Sequence, residues 1–309
     1  DGKIADVKSS SDLAEADLGV LLSTSKEVSQ EEDTKGKMVY YITVLRSDGN
    51  EYTYKADRDF EDYRGALVEM ETGADGNVTH LERRTSSISG TVDHSGRKIG
   101  NYRLAQDCKI IELLKAPGEG DSYDAEARVI DWEDIDVNEL STKDVIHAQR
   151  DNEFGDITLL FLNNVTGDGY QYGLLKKSQT VNSGMMVSGQ YTIDIGGTEY
   201  NFNLSTAYSI SQGSPVGVNI AGNQLIEMFK LPQVATGKRV KAVDYDRIKV
   251  DNEVYDMDPD AVVYRREDTY YEKEPISLNE LPEAEYTTVQ MYADKSLSSG
   301  GKVRVILVW

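Results

Sequence analysis

The sequence is poor in the residue types that build disulfides, zinc sites and thiol chemistry. It contains one cysteine and three histidines in 309 residues. One cysteine excludes a disulfide within the chain, and so few Cys and His residues give no support to a zinc cluster or a Cys/His nucleophile pair. Cys108 stands in the apolar stretch DCKIIELL, which predicts a small buried thiol.

Long apolar runs are also missing. No stretch of about 18 apolar residues occurs, so the sequence predicts no transmembrane segment. The chain begins at Asp1 and not at Met, and we therefore expect a processed or excised piece whose signal peptide, if any, has been removed.

Positive charge is scarce relative to negative charge. The chain has 33 Lys and Arg against 54 Asp and Glu, a formal net charge of −21. This charge repels phosphate backbones, so we expect no nucleic-acid partner. The basic residues occur as isolated pairs, and the composition is typical of a solvated acidic surface.

Tyrosine replaces the other aromatic residues, with 19 Tyr against 5 Phe and 2 Trp. Tyrosine suits half-buried strands, where the ring packs and the hydroxyl meets water. Two-residue turn signals separate such β-prone runs, and each predicts a hairpin. They are Asp48-Gly49, Asp75-Gly76, Gly196-Gly197 and Gly222-Asn223. Successive hairpins of this length favour a small antiparallel barrel or sandwich.

The chain repeats itself. Asn-Glu-Leu ends at Leu140 and again at Leu281. Other segments match in the same order, and ordered matches of this kind indicate two copies of one unit. The matched pairs are LGVLLSTSKEV with YGLLKKSQTV, EYTYKADRDF with EYNFNLSTAY, GTVD with KAVD, YRLAQDCKII with YDMDPDAVVY, and GDITLLFLN with GKVRVILVW. The first copy holds about 12 extra residues, and Ala116–Asp124 is the candidate surface loop for them.

We therefore predict a mostly β fold, a tandem duplication of a small antiparallel β-barrel-like subdomain followed by a small α+β subdomain. Residues 1–15 form an N-terminal linker. Unit 1 spans 16–166, with its barrel-like part at 16–101 and its strand and short-helix part at 102–166. Unit 2 spans 167–309, divided in the same way into 167–254 and 255–309.

The Asn-Glu-Leu motif itself carries a local prediction. Ser277-x-x-Glu280 matches a capping box, and Asp136-x-x-Glu139 is a near equivalent. Both favour a single helical turn that directs Leu140 or Leu281 into the core. A catalytic pair of Glu139 and Glu280 is the competing interpretation.

No catalytic, cofactor-binding or metal-binding residue is assigned from the sequence, and we expect no enzyme activity. The residues that recur in both copies are Gly, Tyr, Val and Leu. A carboxylate pair such as Asp134 and Asp136 leaves a glycoside hydrolase as an open alternative. Asp256, Asp258, Asp260 and Glu267 have part of the spacing of a calcium loop, but Ala261 stands where such a loop needs glycine, so calcium binding stays undecided.

One resemblance carries a functional expectation. The pattern Y-x-L-x-x-D-x-x-I, then I-x-V/L-N-E-L, ending in GKVRVILVW, resembles the C-terminal regions of Gram-positive surface proteins that carry S-layer homology domains elsewhere. It covers Tyr102–Asn163 and Tyr255–Trp309 best. The resemblance implies a non-catalytic structural or interaction module outside the cytoplasm, secreted or associated with the cell wall. Its expected partners are cell-wall components or other surface proteins.

A glycan- or peptidoglycan-binding module is the main alternative. It would use exposed tyrosines as stacking platforms. The candidates are Tyr40, Tyr41, Tyr170, Tyr172, Tyr270 and Tyr271.

Overall fold

The computed structural model describes residues 17–30, 35–118, 123–183, 186–205, 207–266 and 273–309. The predicted linker at 1–15 lies outside these residues. The chain forms two compact units, Asp1–Gly169 (unit 1) and Tyr170–Trp309 (unit 2). Strands make up 59% of the protein and helical turns 4%, with no helix of seven or more residues in the described part. The predicted fold class is confirmed.

Unit 1 begins with a closed five-stranded barrel in the order β1-β2-β3-β5-β4. Its strands are β1 (Asp17–Val28), β2 (Met38–Arg46), β3 (Glu51–Ala56), β4 (Leu67–Thr72) and β5 (Val78–Arg83). Strand β4 pairs with β1, and a single pairing of Ala56 with Val78 closes the barrel between β3 and β5. Inward side chains such as Leu21, Ile42 and Leu81 fill the interior, because alternate residues of a strand share one face.

The barrel hairpins turn where the sequence predicts. Gly49 and Gly76 have φ values of +83° and +80°, a conformation that only glycine adopts without strain. Each glycine follows an aspartate whose carboxylate accepts a backbone N–H two residues on, from Asn50 or Asn77. These local bonds fix the turn, and the turn fixes the register of its two strands.

A second sheet completes unit 1, in the order β10-β6-β7-β8-β12-β11, with β9 on β8. Its central strands β8 and β12 run parallel, and the other strand pairs are antiparallel. Its core includes Trp132, Leu140 and Ile157. The strands are β6 (Gly90–Asp93), β7 (Lys98–Ile99), β8 (Tyr102–Lys115), β9 (Glu126–Ile130), β10 (Glu139–Leu140), β11 (Val145–Gln149) and β12 (Ile157–Asn163).

Unit 2 opens with a five-stranded half-barrel in the order β15-β14-β13-β16-β17. Its strands are β13 (Gln171–Ser183), β14 (Met186–Ile195), β15 (Thr198–Leu204), β16 (Pro215–Ala221) and β17 (Gln224–Lys230). The predicted turns at Gly196-Gly197 and Gly222-Asn223 connect its hairpins.

The second sheet of unit 2 has the order β18-β23-β24-β21-β20-β19, with β22 on β21. Here too the central pair, β21 and β24, is parallel. The strands are β18 (Gln233–Gly237), β19 (Val240–Val243), β20 (Arg247–Val250), β21 (Glu253–Arg266), β22 (Lys273–Ile276), β23 (Val289–Ala293) and β24 (Val303–Val308). The strand order therefore matches that of unit 1 around the parallel pair.

The strand register also matches between the units. Ile157 pairs with Leu104 across the parallel strands of unit 1, and Val303 pairs with Met257 in unit 2. Both central residues are fully buried, as are Leu140 and Leu281. The matched tyrosines 102 and 255 are half-buried.

The interpretation of Asn-Glu-Leu as a helical turn is wrong for unit 1. Glu139 and Leu140 form strand β10, which pairs with Thr91 and Gly90 on β6. The nearby 3₁₀ turn is Trp132–Asp134 instead, and there the Asp134 carboxylate accepts the Asp131 backbone N–H at 2.9 Å. Strand pairing with a distant segment outweighs the local capping signal, because the strand satisfies backbone groups that a single turn leaves open.

In unit 2 the turn forms but the predicted cap does not. Leu278–Glu280 is a 3₁₀ turn, and the Ser277 side chain makes no capping hydrogen bond. Leu281 follows the turn directly and is fully buried. The motif therefore places a core leucine in both units through two different backbone conformations.

The predicted internal boundaries fall inside sheets. The division at 101/102 separates β7 from β8, which pair with each other, and the division at 254/255 cuts through β21. The barrel parts end earlier, with β5 at Arg83 and β17 at Lys230. The α+β parts contain only three-residue helical turns among the described residues.

The candidate insertion Ala116–Asp124 is tied to the barrel where it is described. The buried Arg64 guanidinium donates to the carbonyl oxygens of Gly118 at 3.2 Å and Tyr123 at 3.3 Å. The ring of Pro117 packs over Gly65. These contacts hold the two described ends of the loop against the barrel strands' connecting segment at Arg64 and Gly65.

Candidate binding groove

A polar groove lies in unit 1 where the barrel meets the second sheet. One compartment has a cavity volume of about 590 Å³ and the next about 440 Å³. Both volumes are in the range of small-molecule sites. The two compartments share Leu18, Gln149 and Asp151; the first adds Arg46, Ser47, Asp48, Asp107, Lys109, Thr158 and Leu159, and the second adds Glu69, Arg84, Ser86, His147, Ala148 and Arg150. These residues together are called the groove below.

The charges of the groove balance, although the chain carries −21 overall. Four basic and four acidic side chains line it, so their formal charges sum to zero. The basic residues are Arg46, Arg84, Lys109 and Arg150, and the acidic residues are Asp48, Glu69, Asp107 and Asp151. The groove therefore has no net attraction for either sign of charge at short range.

Asp151 is held in place by its neighbours. Thr158 Oγ1 and Gln149 Nε2 both donate hydrogen bonds to its carboxylate. The Thr158 bond, followed by the Gln149 bond, lowers the pKa of Asp151 below its ordinary value. The Asp151 carboxylate is thus ionised near neutral pH, and the amide plane of Gln149 is fixed by it.

Asp48 is fixed in a similar way at the barrel side. Burial alone would raise the pKa of Asp48, but hydrogen bonds from the Tyr52 hydroxyl at 2.6 Å and from Asn50 outweigh it, so the pKa is lowered. The same Tyr52 ring lies 5.4 Å from the Arg46 guanidinium carbon. These contacts give the Asp48 and Arg46 side chains defined positions before any ligand arrives.

Two buried polar atoms of the groove lack a hydrogen-bond partner among the described residues. They are His147 Nδ1 and Gln149 Oε1. The His147 residue is only 9% exposed, and burial, followed by the charge of Arg84, lowers the pKa of its imidazole. Buried polar groups are normally paired, because leaving one unpaired costs about 1–3 kcal/mol.

Unit 2 places an ion cluster at the corresponding position. Arg304 lies between Val303 and Val305 on β24, as Thr158 lies between Ile157 and Leu159 on β12. The Arg304 side chain is 3% exposed and contacts the carboxylates of Asp258 and Asp294, the latter at 3.0 Å. We call these three residues the Arg304 cluster.

The two units also differ on the barrel side of the junction, which is the place where the barrel meets the second sheet. Gly19 pairs with Val68 and Gly173 with Val216, so the residues before these glycines, Leu18 and Tyr172, correspond. The Tyr172 ring lies 4.8 Å from the Arg304 guanidinium carbon. Unit 2 therefore stacks an aromatic ring on a paired guanidinium where unit 1 has leucine, threonine and open space.

Unit 2 has a smaller cavity at the position that corresponds to the Arg84 side of the groove. Arg84 N–H donates to Leu67 O in unit 1, and Leu231 N–H donates to Pro215 O in unit 2. The cavity beside Leu231 has a volume of about 380 Å³, and Lys230 is its only charged lining residue. At these two corresponding positions, the lining with several charged residues is found in unit 1 and not in unit 2.

The candidate carboxylates from the sequence do not form a site. Asp134 and Asp136 are exposed and line none of the described cavities, and Asp134 serves the 3₁₀ turn. Glu139 and Glu280 are also exposed and belong to different units. Glu280 lines an open cavity of about 440 Å³ in unit 2 with Arg265, Glu283 and Glu285, but Glu139 does not line it.

The candidate calcium stretch is an extended strand. Asp256, Asp258 and Asp260 lie on β21, and Asp258 is paired with Arg304. Glu267 lies outside the described residues. No group of three or more His, Cys, Asp or Glu residues placed to hold a metal was found within the described ranges.

The candidate tyrosine platforms are engaged in packing or hydrogen bonds. Tyr40 packs against the barrel core, and the Tyr41 hydroxyl donates to Glu27. Tyr170 packs edge-on to Phe229, and Tyr172 lies under Arg304. All four are half-buried, and Tyr270 and Tyr271 fall outside the described part.

Cys108 is half-buried against the core of the second sheet. Burial raises the pKa of its thiol to about 12, so the thiol stays protonated and is a weak nucleophile. The sequence indicated a small buried thiol, and the side chain lies only partly inside.

Sequence reasoning missed every residue of the groove. The lining includes residues of β1, β2, β4, β8, β11 and β12, whose contacts are distant in sequence. One signal was present: the two copies differ sharply at Leu18 against Tyr172 and at Thr158 against Arg304. A change from a large or charged residue to a small one at matched core-facing positions indicates an opened space.

No family model matches the chain, and comparison with curated proteins and with solved structures likewise gave no match. A search of the described residues for a helix of the length and hydropathy needed to span a membrane found none.

Proposed function

We propose that the chain is a non-catalytic interaction module in which unit 1 binds a ligand and unit 2 is a structural copy. The contrast between the two junctions carries this proposal. The same strand positions hold an ion cluster in unit 2 and an open, polar groove in unit 1. A duplicated fold keeps its stability with the junction filled, so the open junction favours a role in binding.

The lining of the groove supports binding. Asp48, Arg46, Asp151 and Gln149 are held by contacts within the unit. Fixed side chains lose little conformational entropy when a ligand binds, which increases affinity. The two buried atoms without a protein partner, His147 Nδ1 and Gln149 Oε1, belong to side chains that line the groove, and hydrogen bonds from a ligand would satisfy them.

The titration behaviour of the lining supports a non-catalytic role. The pKa values of Asp48 and Asp151 are both lowered, so both carboxylates are ionised near neutral pH. General acid catalysis by a carboxyl group requires a raised pKa. A glycoside hydrolase needs one protonated and one ionised carboxyl group, and these two residues do not provide that combination.

The proposed setting is extracytoplasmic, on the cell surface or in the cell wall. The resemblance to C-terminal regions of S-layer-associated proteins and the acidic composition support it. Antibody labelling of intact bacteria that produce the native protein tests the setting. Labelling of intact cells is the expected result, and labelling only after lysis would contradict it.

The ligand site is tested by a substitution whose larger side chain fills the groove. Thr158→Arg introduces the residue that unit 2 has at this position, with Asp151 already present to pair with it. The control is Thr180→Arg, which adds the same charge at an exposed position of β13. The three proteins are screened against an array of cell-wall glycans, peptidoglycan fragments and peptides.

We expect a hit that the wild type and Thr180→Arg share and that Thr158→Arg loses at least tenfold in affinity. Circular dichroism establishes that both variants remain folded. Binding that survives Thr158→Arg would place the site elsewhere on the chain. An absence of any hit for the wild type would count against a binding module for these ligand classes.

A further inference from the structure

Two hydrogen-bonding atoms of the groove without a protein partner indicate which kind of ligand it binds. Gln149 Nε2 donates to Asp151, so the other atom of the amide, Oε1, is a buried acceptor without a partner on a side chain that lines both compartments. His147 Nδ1, on a side chain that lines the second compartment, is also buried without a partner. A hydroxyl group donates and accepts, and therefore satisfies Oε1 and either tautomer of the imidazole.

The charges of the lining argue against an ionic ligand. Four carboxylates disfavour an anion, and four basic side chains disfavour a metal ion or an ammonium group. Bringing a charge into a partly desolvated site costs free energy unless an opposite charge is unpaired. Arg84 is paired with Glu69, and the lining as a whole carries no net formal charge.

Apolar surface lies next to these polar atoms. Leu18 and Leu159 line the first compartment and Ala148 lines the second. Leu18 stands where unit 2 has Tyr172. A ligand that presents C–H groups on one face and hydroxyl groups on its edges fits this arrangement, because the apolar face packs on leucine while the edges meet fixed donors and acceptors.

We propose that the groove binds an uncharged oligosaccharide, whose hydroxyl groups donate to Gln149 Oε1 and hydrogen-bond with His147 Nδ1. This inference rests on the proposed binding function of unit 1. The two compartments meet at Leu18, Gln149 and Asp151. A chain of at least two sugar units therefore passes over Gln149, with one unit in each compartment.

The test uses the whole chain and defined probes. Neutral oligomers of glucose, mannose, galactose and N-acetylglucosamine are compared with an oligogalacturonate and with a basic peptide by isothermal titration calorimetry. The variants are Gln149→Met and His147→Met, which remove the hydrogen-bonding atoms at similar side-chain length. Gln224→Met, at an exposed position of unit 2, is the matched control.

At least one neutral oligomer is expected to bind, with Gln149→Met and His147→Met each weakening it by about three- to tenfold, the loss typical of one hydrogen bond. Gln224→Met leaves the affinity unchanged. Because Gln149→Met also removes a bond to Asp151, amide hydrogen exchange of β11 and β12 is measured for each variant. If both variants weaken binding to a similar extent, the loss is due to the missing ligand contact and not to a local loosening of the strands.

Three results overturn the inference in distinguishable ways. Binding of only the anionic or the basic probe, abolished by Thr158→Arg, refutes an uncharged ligand and leaves the binding function intact. A neutral oligomer that binds equally well to both methionine variants shows that these atoms do not contact it. If no probe binds and Thr158→Arg changes nothing, the saccharide inference and the proposed function both fail.

Discussion

His147 is a buried imidazole of the groove whose ionisation affects folding. Its pKa is lowered below 6.5 by burial first and by Arg84 second. An unfolded chain therefore binds a proton at this residue at pH values where the folded chain does not. The free energy of unfolding rises with pH across this interval, reaches its full value above about pH 6.5, and falls as the solution is acidified.

Replacement of His147 by Gln is predicted to flatten this dependence. Between pH 7.5 and pH 5 the wild type loses more stability than His147→Gln, by at most about 1.4 kcal/mol per pH unit, the limit for one proton. Urea denaturation followed by circular dichroism at several pH values measures the difference. Other titrating groups affect both proteins alike, so parallel curves would show that the imidazole titrates normally.

Short backbone elements depend on contacts that differ between the units. In unit 1 the Asp134 carboxylate bonds back to the Asp131 N–H, and the turn they form leads into the buried Ile135. In unit 2 the turn Leu278–Glu280 forms without a side-chain cap. Its position is set by the burial of Leu281, and this makes the two turns unequal in their sensitivity to substitution.

Asp134→Ala is expected to lower the free energy of unfolding by about 0.5–1.5 kcal/mol, because one hydrogen bond to a backbone N–H is lost. Glu280→Ala removes an exposed carboxylate at the comparable turn and should change it by less than about 0.5 kcal/mol. Equilibrium urea unfolding provides both values. Equal losses in the two variants would show that the capping bond contributes nothing specific.

The Arg304 cluster links neighbouring strands of the second sheet of unit 2. Its guanidinium is held by two carboxylates and an aromatic ring. Arg304→Met is predicted to destabilise unit 2 by roughly 3–5 kcal/mol, because it leaves the largely buried carboxylates of Asp258 and Asp294 without a positively charged partner. Thr158→Val is the matched change in unit 1, and it removes one hydroxyl and should cost about 1 kcal/mol.

Hydrogen exchange by mass spectrometry locates these losses. The Arg304→Met effect should appear in peptides from β21 and β24, and the Thr158→Val effect in β11 and β12. If Arg304→Met left exchange in β24 unchanged, the cluster would contribute nothing to stability. A triple change of Arg304, Asp258 and Asp294 to apolar residues of similar size should recover much of the loss, since buried ion pairs are replaceable in this way.

At the scale of the whole molecule, the protein contains two units whose strand orders match around the parallel pair and whose junctions between barrel and second sheet differ. The hairpin turns follow from sequence because Asp-Gly and Gly-Gly determine local backbone geometry. Repetition of apolar positions such as Ile157 and Val303 indicates matched cores for the same reason: each strand must direct alternate residues inwards.

The strand at Leu140 and the groove could not be predicted from the sequence. Both depend on pairing between distant segments: β10 with β6 for the motif, and the approach of β1 to β11 and β12 for the groove. Local patterns contain no information on these approaches. Comparison of the two copies supplies some of this information, because the small Thr158 stands where unit 2 has the large, charged Arg304.

The placement of tryptophan gives each unit its own optical reporter. The chain has only two tryptophans. Trp132 is buried in the core of unit 1, where its indole N–H donates to His94 O at 3.2 Å, and Trp309 packs at the edge of a core cluster in unit 2. With Trp309→Phe the emission spectrum reports unit 1 alone, and with Trp132→Phe it reports unit 2 alone. The unfolding of either half can then be followed by fluorescence in the intact chain.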